Sequence, residues 1–344
     1  MLYINSIRMQ YDSLEQIFDA FNQVRVLIIG DVMVDSYLWG KVDRISPEAP
    51  VPIVHVQKRE KRLGGASNVA VNVQAMGAVP ILCSVIGKDA DGQDFLDILS
   101  ASGLSREGII DSETRTTTIK HRIIAGTQHL LRIDSEMDHL ITANERQQLL
   151  DKIKQLALTC QVIIFQDYDK GVLSKELIEQ VTAFANQHNI PTVVDPKKRN
   201  FLHYRGVTLF KPNLKELKEG LKVDFDPTHS AELKQVVSQL KEKLQLVAIL
   251  VTLSEKGVYI DYEQDKYLMP AHIRQIADVS GAGDTVVSIA ALCVALQLSP
   301  QLIAGLSNLG GGLVCEHAGV VPIHKESLMQ EALKHNFFTL YAHC

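Results

Sequence analysis

Short apolar runs alternate with segments of helical spacing through most of this chain. Val24–Ile29 predicts a strand buried on both faces, and Ser67–Met76 predicts a helix that Gly77 terminates. Ile81–Ile86, Gln161–Phe165, Thr192–Val194, Val207–Phe210 and Val247–Val251 repeat the strand pattern, with helical segments between them. That βαβ rhythm predicts an α/β fold, a doubly wound, mostly parallel sheet flanked by helices. Two stretches depart from it. Val51–Val56, and Thr116–Ile124 with Leu130–Ile133, alternate apolar and polar positions and predict a small separate sheet beside the main one. The first 22 residues or so predict a short amphipathic packing arm, not a signal peptide. No linker, repeat or low-complexity segment separates Asp31 from Pro322. One domain is therefore expected, with the small sheet, from about 38–56 and 116–133, as a lid-like subdomain.

Ligands of open α/β sheets bind beyond the carboxyl ends of the strands, and polar residues gather there in this sequence. Gly30-Asp31-Val32-Met33-Val34-Asp35 follows the first run. Asp167-Tyr168-Asp169-Lys170-Gly171, Asp195-Pro196-Lys197-Lys198, Lys211-Pro212-Asn213-Leu214-Lys215-Glu216 and Thr252-Leu253-Ser254-Glu255-Lys256-Gly257 follow later ones. Any one loop would mean little, but together they form a candidate site. Carboxylates with a nearby asparagine suit Mg²⁺ held through oxygens and water. Lysines and glycine amides suit phosphates. Asp31 and Asp35 can accept hydrogen bonds from sugar hydroxyls, although a turn or cap role competes for Asp31. Gly64-Gly65-Ala66-Ser67-Asn68 opens a helix and brings backbone close to a ligand or to a neighbouring strand.

The richest segment is Asp278-Val279-Ser280-Gly281-Ala282-Gly283-Asp284-Thr285, just before the apolar helical run Val286–Leu298. Its glycines allow a tight turn with bare amides, and the helix N-terminus adds free N–H donors, which together make an anion site. Asp284 beside it can take a proton from an attacking hydroxyl, or can simply cap the helix. The sequence has no GxxxxGK[ST] loop and no protein-kinase GxGxxG, so phosphoryl transfer here needs another scaffold.

Composition narrows the picture. The 344 residues are 46% hydrophobic and 22% charged, ordinary for a globular protein with a large core. A net charge of −5 and the lack of a basic stripe argue against a nucleic-acid partner. No apolar run is as long as a membrane span. The five cysteines, Cys83, Cys160, Cys293, Cys315 and Cys344, are scattered through apolar runs and fit reduced thiols in a cytoplasmic protein. The histidines lack metal-ligand spacing.

The GG-x-x-N helix near Gly64, the Asn-x-x-Glu at Asn213–Glu216 and the late Gly-Ala-Gly-Asp together resemble the ribokinase-like (PfkB) sugar kinases, over about Val24 to Ile323. Within that family, Gly30–Gly40, Arg44–Val56 and Arg62–Val73 look like the heptose 7-phosphate kinases, and Asp195–Lys197, the Lys-Pro-Asn opening at Lys211 and Val279–Val286 agree. The resemblance implies a ribokinase-like fold with a β-sheet lid. It implies ATP- and Mg²⁺-dependent phosphorylation of the anomeric hydroxyl of D-glycero-D-manno-heptose 7-phosphate, a step that supplies heptose for lipopolysaccharide. Some relatives fuse a nucleotidyltransferase domain with an HxGH-type motif. That motif is absent here, so the resemblance implies the kinase alone. A homodimer through the lid sheet is expected because its apolar face and strand edges need cover. A monovalent cation is a further option.

By resemblance, Asp284 matches the catalytic base, and Gly281, Ala282 and Gly283 match the anion hole. Asn213 and Glu216 match the motif that organises Mg²⁺ and the nucleotide phosphates, Glu216 meeting the metal directly or through water. Thr252, Ser254 and Gly257 match the nucleotide loop, and Asn308 a position near adenine. Asp35, Gly64, Gly65 and Asn68 match sugar contacts, with Asp31 joining them. For the 7-phosphate, Arg44, Lys120, Arg122 and Lys170 are the candidates, because a dianion needs charge-assisted donors; each also reads as solubilising charge. Ser280 stands where many relatives have threonine, and Ala277 replaces a bulkier residue. A kinase of another sugar, such as ribose, fructose or a hexose phosphate, and a non-catalytic sugar- or nucleotide-binding regulator remain as alternatives.

Overall fold

The computed structural model describes residues 11–126, 128–226, 230–272, 274–317 and 319–341. Among the described residues, thirteen strands form two sheets. In chain order they are β1 Arg25–Gly30, β2 Val32–Ile45, β3 Pro52–Gly65, β4 Val79–Gly87, β5 Gly108–Ser112, β6 Ile119–Ala125, β7 Gln128–Ser135, β8 Val162–Gln166, β9 Thr192–Asp195, β10 Leu209–Phe210, β11 Ala248–Thr252, β12 Val258–Tyr262 and β13 Asp265–Met269.

The large sheet has the order β13-β12-β11-β10-β9-β8-β1-β4-β5. All neighbours from β11 to β5 are parallel, and β12 and β13 close one edge as antiparallel strands. The apolar runs become strands because each alternate side chain finds a helical layer. Val26 and Ile28 of β1 enter the core packed by the helices Ala66–Ala75, Ala282–Ala295 and Pro300–Val314. Leu27 and Ile29 enter the opposite core, under Ala143–Ala157, Lys175–Gln187 and Ser230–Leu244. From β1 the chain runs outward through β4 and β5, then returns to β8 and proceeds the other way. The order of strands therefore reverses between β1 and β8, which is where such sheets bind ligands.

The small sheet has the order β3-β2-β6-β7. It is longer than the sequence pattern suggests. β2 starts at Val32, not near Leu38, so the expected loop Gly30–Asp35 is mostly strand. The reason is burial: Val32 to Tyr37 are buried on both faces and show no alternation, while Lys41 to Ile45 are exposed. β3 likewise runs through Gly64 and Gly65 to the start of the Ala66–Ala75 helix. Near the N-terminus, the helix Leu14–Ala20 buries Leu14, Ile17 and Phe18; residues 1–10 of the expected arm, and Cys344, lie outside the described residues. No helix among the described residues is long and apolar enough to cross a membrane.

Candidate active site

The carboxyl ends of β1, β8, β9, β10 and β11 deliver Asp31, Gln166, Asp195, Lys211 and Thr252 to one edge. Across from them, the helix Ala282–Ala295 points its N-terminus at the same place. Its N-cap, Gly281, has φ +84°, a left-handed conformation that glycine takes without a Cβ penalty. No side chain caps this helix, so the first-turn amides, Gly283 and Asp284 among them, lack intrahelical acceptors. Asp278 holds the approach by accepting from the amides of Ser280, at 2.9 Å, and Gly319, at 3.0 Å.

Asp284 is buried at this N-terminus, 7% exposed. Its Oδ1 accepts from the Tyr168 hydroxyl at 2.7 Å and from Gln166 Nε2 at 3.2 Å. Its Oδ2 accepts from Asn68 Nδ2 at 2.6 Å. Burial pushes its pKa up to about 6, against the hydrogen bonds from Asn68 and Tyr168. That value leaves it ionised at neutral pH yet able to hold a proton, the property wanted of a general base.

Two lysines stand beside the turn. Lys211 faces Asp195 at 3.2 Å, both side chains almost fully buried. A Cβ on Gly283 would sit 3.7 Å from Asp195 Oδ2 and 3.9 Å from Lys211 Nζ. That gap, bounded by amides and a lysine, fits an anionic phosphoryl group. Lys197 pairs with Glu216. Burial works against its charge, but Asp195 and Glu216 outweigh burial and hold its pKa above the ordinary lysine value.

The Asn-x-x-Glu motif forms a capping box on the helix Leu214–Leu221. Asn213 accepts from the Glu216 amide at 2.8 Å, and Glu216 Oε2 accepts from the Asn213 amide at 2.9 Å. With one oxygen on the cap and the other on Lys197, Glu216 does not belong to a protein-only metal cage. Among the described residues no group of three His, Cys, Asp or Glu is placed to hold a metal. The donor set suits Mg²⁺ that arrives with phosphates and keeps most of its waters.

Behind the turn lies a largely apolar cavity of about 510 Å³. Thr252, Ser254, Gly257, Ala282, Gly283 and Asn308, all singled out from sequence, line it, with Val258, Ile276, Val279 and Gly311. Its position beside the anion turn fits a purine nucleotide. Asn308 spends its amide on the Pro270 carbonyl at 2.8 Å. Gly257 has φ +92°, and a Cβ there would strike the Met269 carbonyl.

On the other side of Asp284, one face of the small sheet carries Asp35 and Tyr37 of β2, Arg62 of β3 and Lys120 and Arg122 of β6, cross-strand neighbours. Asp35 is buried and ion-paired to Arg122 at 2.5 Å. Gly64 must be glycine because a Cβ would collide with the Asp35 carboxylate, and Gly65, at φ +60°, because a Cβ would collide with the Asp31 carbonyl. These positions therefore serve close strand packing beside the site. Asn68 is brought to Asp284.

Several expectations change. Asp31 is not a sugar contact: it is 1% exposed, and its carboxylate accepts from the amides of Tyr168 (3.0 Å), Lys170 (3.1 Å) and Val172 (2.9 Å). Arg44 does not reach the site: β2 runs on as a strand, so Arg44 lies about 30 Å from Asp35 at strand rise, on the exposed tip. Lys120 pairs with Asp134 and Glu136, and Lys170 with Glu136. They are thus committed to carboxylates and not free phosphate donors. Arg122 is committed to Asp35. Residues not singled out as site members also converge here: Gln166, Tyr168, Asp195, Lys197, Lys211 and Arg62. The Asp195-Pro196-Lys197 and Lys211-Pro212-Asn213 strings were the available signal for three of them. Tyr168 and Gln166 had no signal beyond their place at a strand end.

This combination of a β1/β8 switch point, an anion turn and an adjoining apolar cavity is that of an α/β phosphotransferase. Over residues 23–325 the chain matches the model of the pfkB family carbohydrate kinases, and it belongs to that family. The chain is 38% identical over 295 residues to the bifunctional protein HldE of Helicobacter pylori strain P12, a match covering 86% of this chain and 64% of that protein. It is 35% identical to HldE of Geotalea uraniireducens, covering 94% and 66%. The chain thus spans less than two thirds of the length of these relatives. Among solved structures, phosphofructokinase-2 from Escherichia coli in complex with potassium aligns with a TM-score of 0.75 at 16% identity, over 91% of this chain and 99% of that one. Ribokinase from Arabidopsis thaliana complexed with ribose and ATP aligns with a TM-score of 0.69 at 14% identity, over 90% and 98%. These likenesses establish the ribokinase-like fold.

Proposed function

We propose that this kinase transfers the γ-phosphoryl group of ATP to the anomeric hydroxyl of D-glycero-D-manno-heptose 7-phosphate, in the cytoplasm, toward ADP-heptose and the lipopolysaccharide core. The observation that carries the transfer chemistry is Asp284, buried among three donors at an uncapped helix N-terminus. The heptose reading is supported by the resemblance of Gly30–Gly40, Arg44–Val56 and Arg62–Val73 to heptose 7-phosphate kinases and by the relation to the HldE proteins. Asp284 takes the hydroxyl proton, and the Gly281–Gly283 turn with Lys211 receives the charge that grows on the phosphoryl oxygens. Bound Mg²⁺ would neutralise the ATP phosphates, held near Asn213 and Glu216. A coupled ADP-release assay against the heptose phosphate, ribose, fructose and hexose phosphates tests the assignment. Strong preference for another sugar would replace it.

Glu216→Gln should weaken the response to Mg²⁺ more than the affinity for the sugar. Glutamine keeps the capping box, since it still accepts at the third helical position, but it removes the charge beside Lys197. A Mg²⁺ titration of activity checks this; an unchanged Mg²⁺ response with collapsed sugar affinity would contradict it.

The small sheet serves as a lid and a dimer contact in this reading. Ile45, Leu131 and Ile133 are 59%, 54% and 49% exposed on it, with Val51, 52% exposed, just before β3, an apolar surface of the kind a second chain covers. Sedimentation at micromolar protein should show a dimer. A monomer with and without substrates would refute that part.

A further inference from the structure

We propose that Tyr168 is a positioning residue for the catalytic base: its hydroxyl holds Asp284 Oδ1 so that Oδ2 faces the acceptor hydroxyl, and Asp31 acts through it by tethering its loop. This rests on the reading of Asp284 as the base. An ionised carboxylate offers about four lone-pair positions. Tyr168 and Gln166 take those of Oδ1, and Asn68 takes one of Oδ2. The position left is on Oδ2, so three fixed donors select which oxygen meets the substrate. Rotating the carboxylate would break all of these bonds.

The phenol can direct Asp284 only if it is itself fixed and protonated. Both hold. Its loop is tied by the three amides that Asp31 accepts. Arg115 adds bonds to the carbonyls of Lys170 and His139. Asp169 at φ +58° and Gly171 at φ +93° set the loop's reversal. Lys197 Nζ lies 5.8 Å from the centre of the Tyr168 ring. Burial, with the charges of Asp284 and Asp195, holds the phenol well above its ordinary pKa, so it donates across the working pH range. Asp31 thereby acquires a role that its buried carboxylate could not have as a sugar contact.

Tyr168→Phe keeps the ring and removes one donor. The groups facing Asp284 would then be Gln166 from β8, Asn68 from the Ala66–Ala75 helix, Asp195 from β9, Lys197 just after β9 and Lys211 just after β10. Losing a donor that favours the carboxylate makes Asp284 bind its proton more tightly. The acid limb of kcat/KM should move up by about half to one pH unit. kcat should fall about tenfold, with a smaller change in KM for the sugar. A space-filling role predicts neither. An acid limb that stays in place, with kcat within about twofold of wild type, would overturn the proposal. Asp31→Asn should shift the limb in the same direction, and should change kcat less than about twofold further when Tyr168 is already phenylalanine. Full additivity would overturn the tether. Asp284→Asn, measured alongside, separates the two readings. If it is inactive while Tyr168→Phe behaves as wild type, the positioning proposal alone fails. If it remains active, the base assignment fails and takes this proposal with it.

Discussion

Asp284→Asn lowers turnover by about 10²- to 10⁴-fold while ATP still binds and the chain still folds. Asparagine preserves the size of the side chain and can still accept from the Tyr168 hydroxyl, but it cannot take a proton from the sugar. Folding should not suffer, as the pH linkage shows. The folded-state pKa of Asp284 is raised from 3.8 to about 6, so the native state binds this proton more tightly than the unfolded chain does. Its stabilising contribution is full below the unfolded value and is lost as pH rises through about 6. At neutral pH the ionised carboxylate costs stability, and the neutral amide avoids that cost. The variant should therefore melt no lower than wild type at pH 7.5. In wild type, the acid limb of kcat/KM should lie near pH 6, where Asp284 gains its proton. Turnover within a few-fold of wild type would remove Asp284 from the role of base.

Lys211→Met should do the largest damage to the fold itself. Lys211 and Asp195 face each other at 3.2 Å with side chains 3% and 6% exposed. Removing one member of such a pair leaves a buried charge without its partner, which costs about 3–5 kcal/mol. The same change strips the positive charge from beside Gly283, so activity should fall even where the protein remains folded. Urea unfolding should show the lower midpoint with little change in slope. A midpoint equal to wild type would mean that water or another cation compensates Asp195.

The fold was legible in the sequence wherever burial was symmetric or cleanly alternating. The interior strands of the large sheet are apolar on both faces, so β1, β4, β8, β9 and β11 stand out as runs, each within a residue or two of the structure. The strands at the two ends of that sheet did not. β5, β12 and β13 carry Asp111, Asp261 and Asp265, which break the apolar run in the first two and open the third on a charge. The start of β2 was hidden because Val32 to Tyr37 is buried on both sides, carries Asp35 and follows directly on Asp31, at a place where a loop was expected.

The candidate site was legible where a motif binds through its own backbone. The Gly281–Asp284 turn and the Asn213–Glu216 box are local, so spacing alone exposes them. Asp31 shows the opposite case. Its composition is that of a sugar ligand, but its three donors come from a loop some 140 residues downstream, beyond what local spacing reveals. Arg44 failed for a geometric reason, since each further strand residue carries it away from the site. Tyr168 was invisible because a tyrosine after a strand signals nothing until Asp284 is placed opposite it.

The proposed reaction phosphorylates a sugar hydroxyl at the anomeric carbon. The most direct measurement is ³¹P and ¹³C NMR of the product formed from ATP, Mg²⁺ and each anomer of D-glycero-D-manno-heptose 7-phosphate. A second phosphate is expected, its coupling placing it on the anomeric carbon, from one anomer in preference to the other, and none with Asp284→Asn. A product phosphorylated elsewhere, or full turnover by Asp284→Asn, would contradict it.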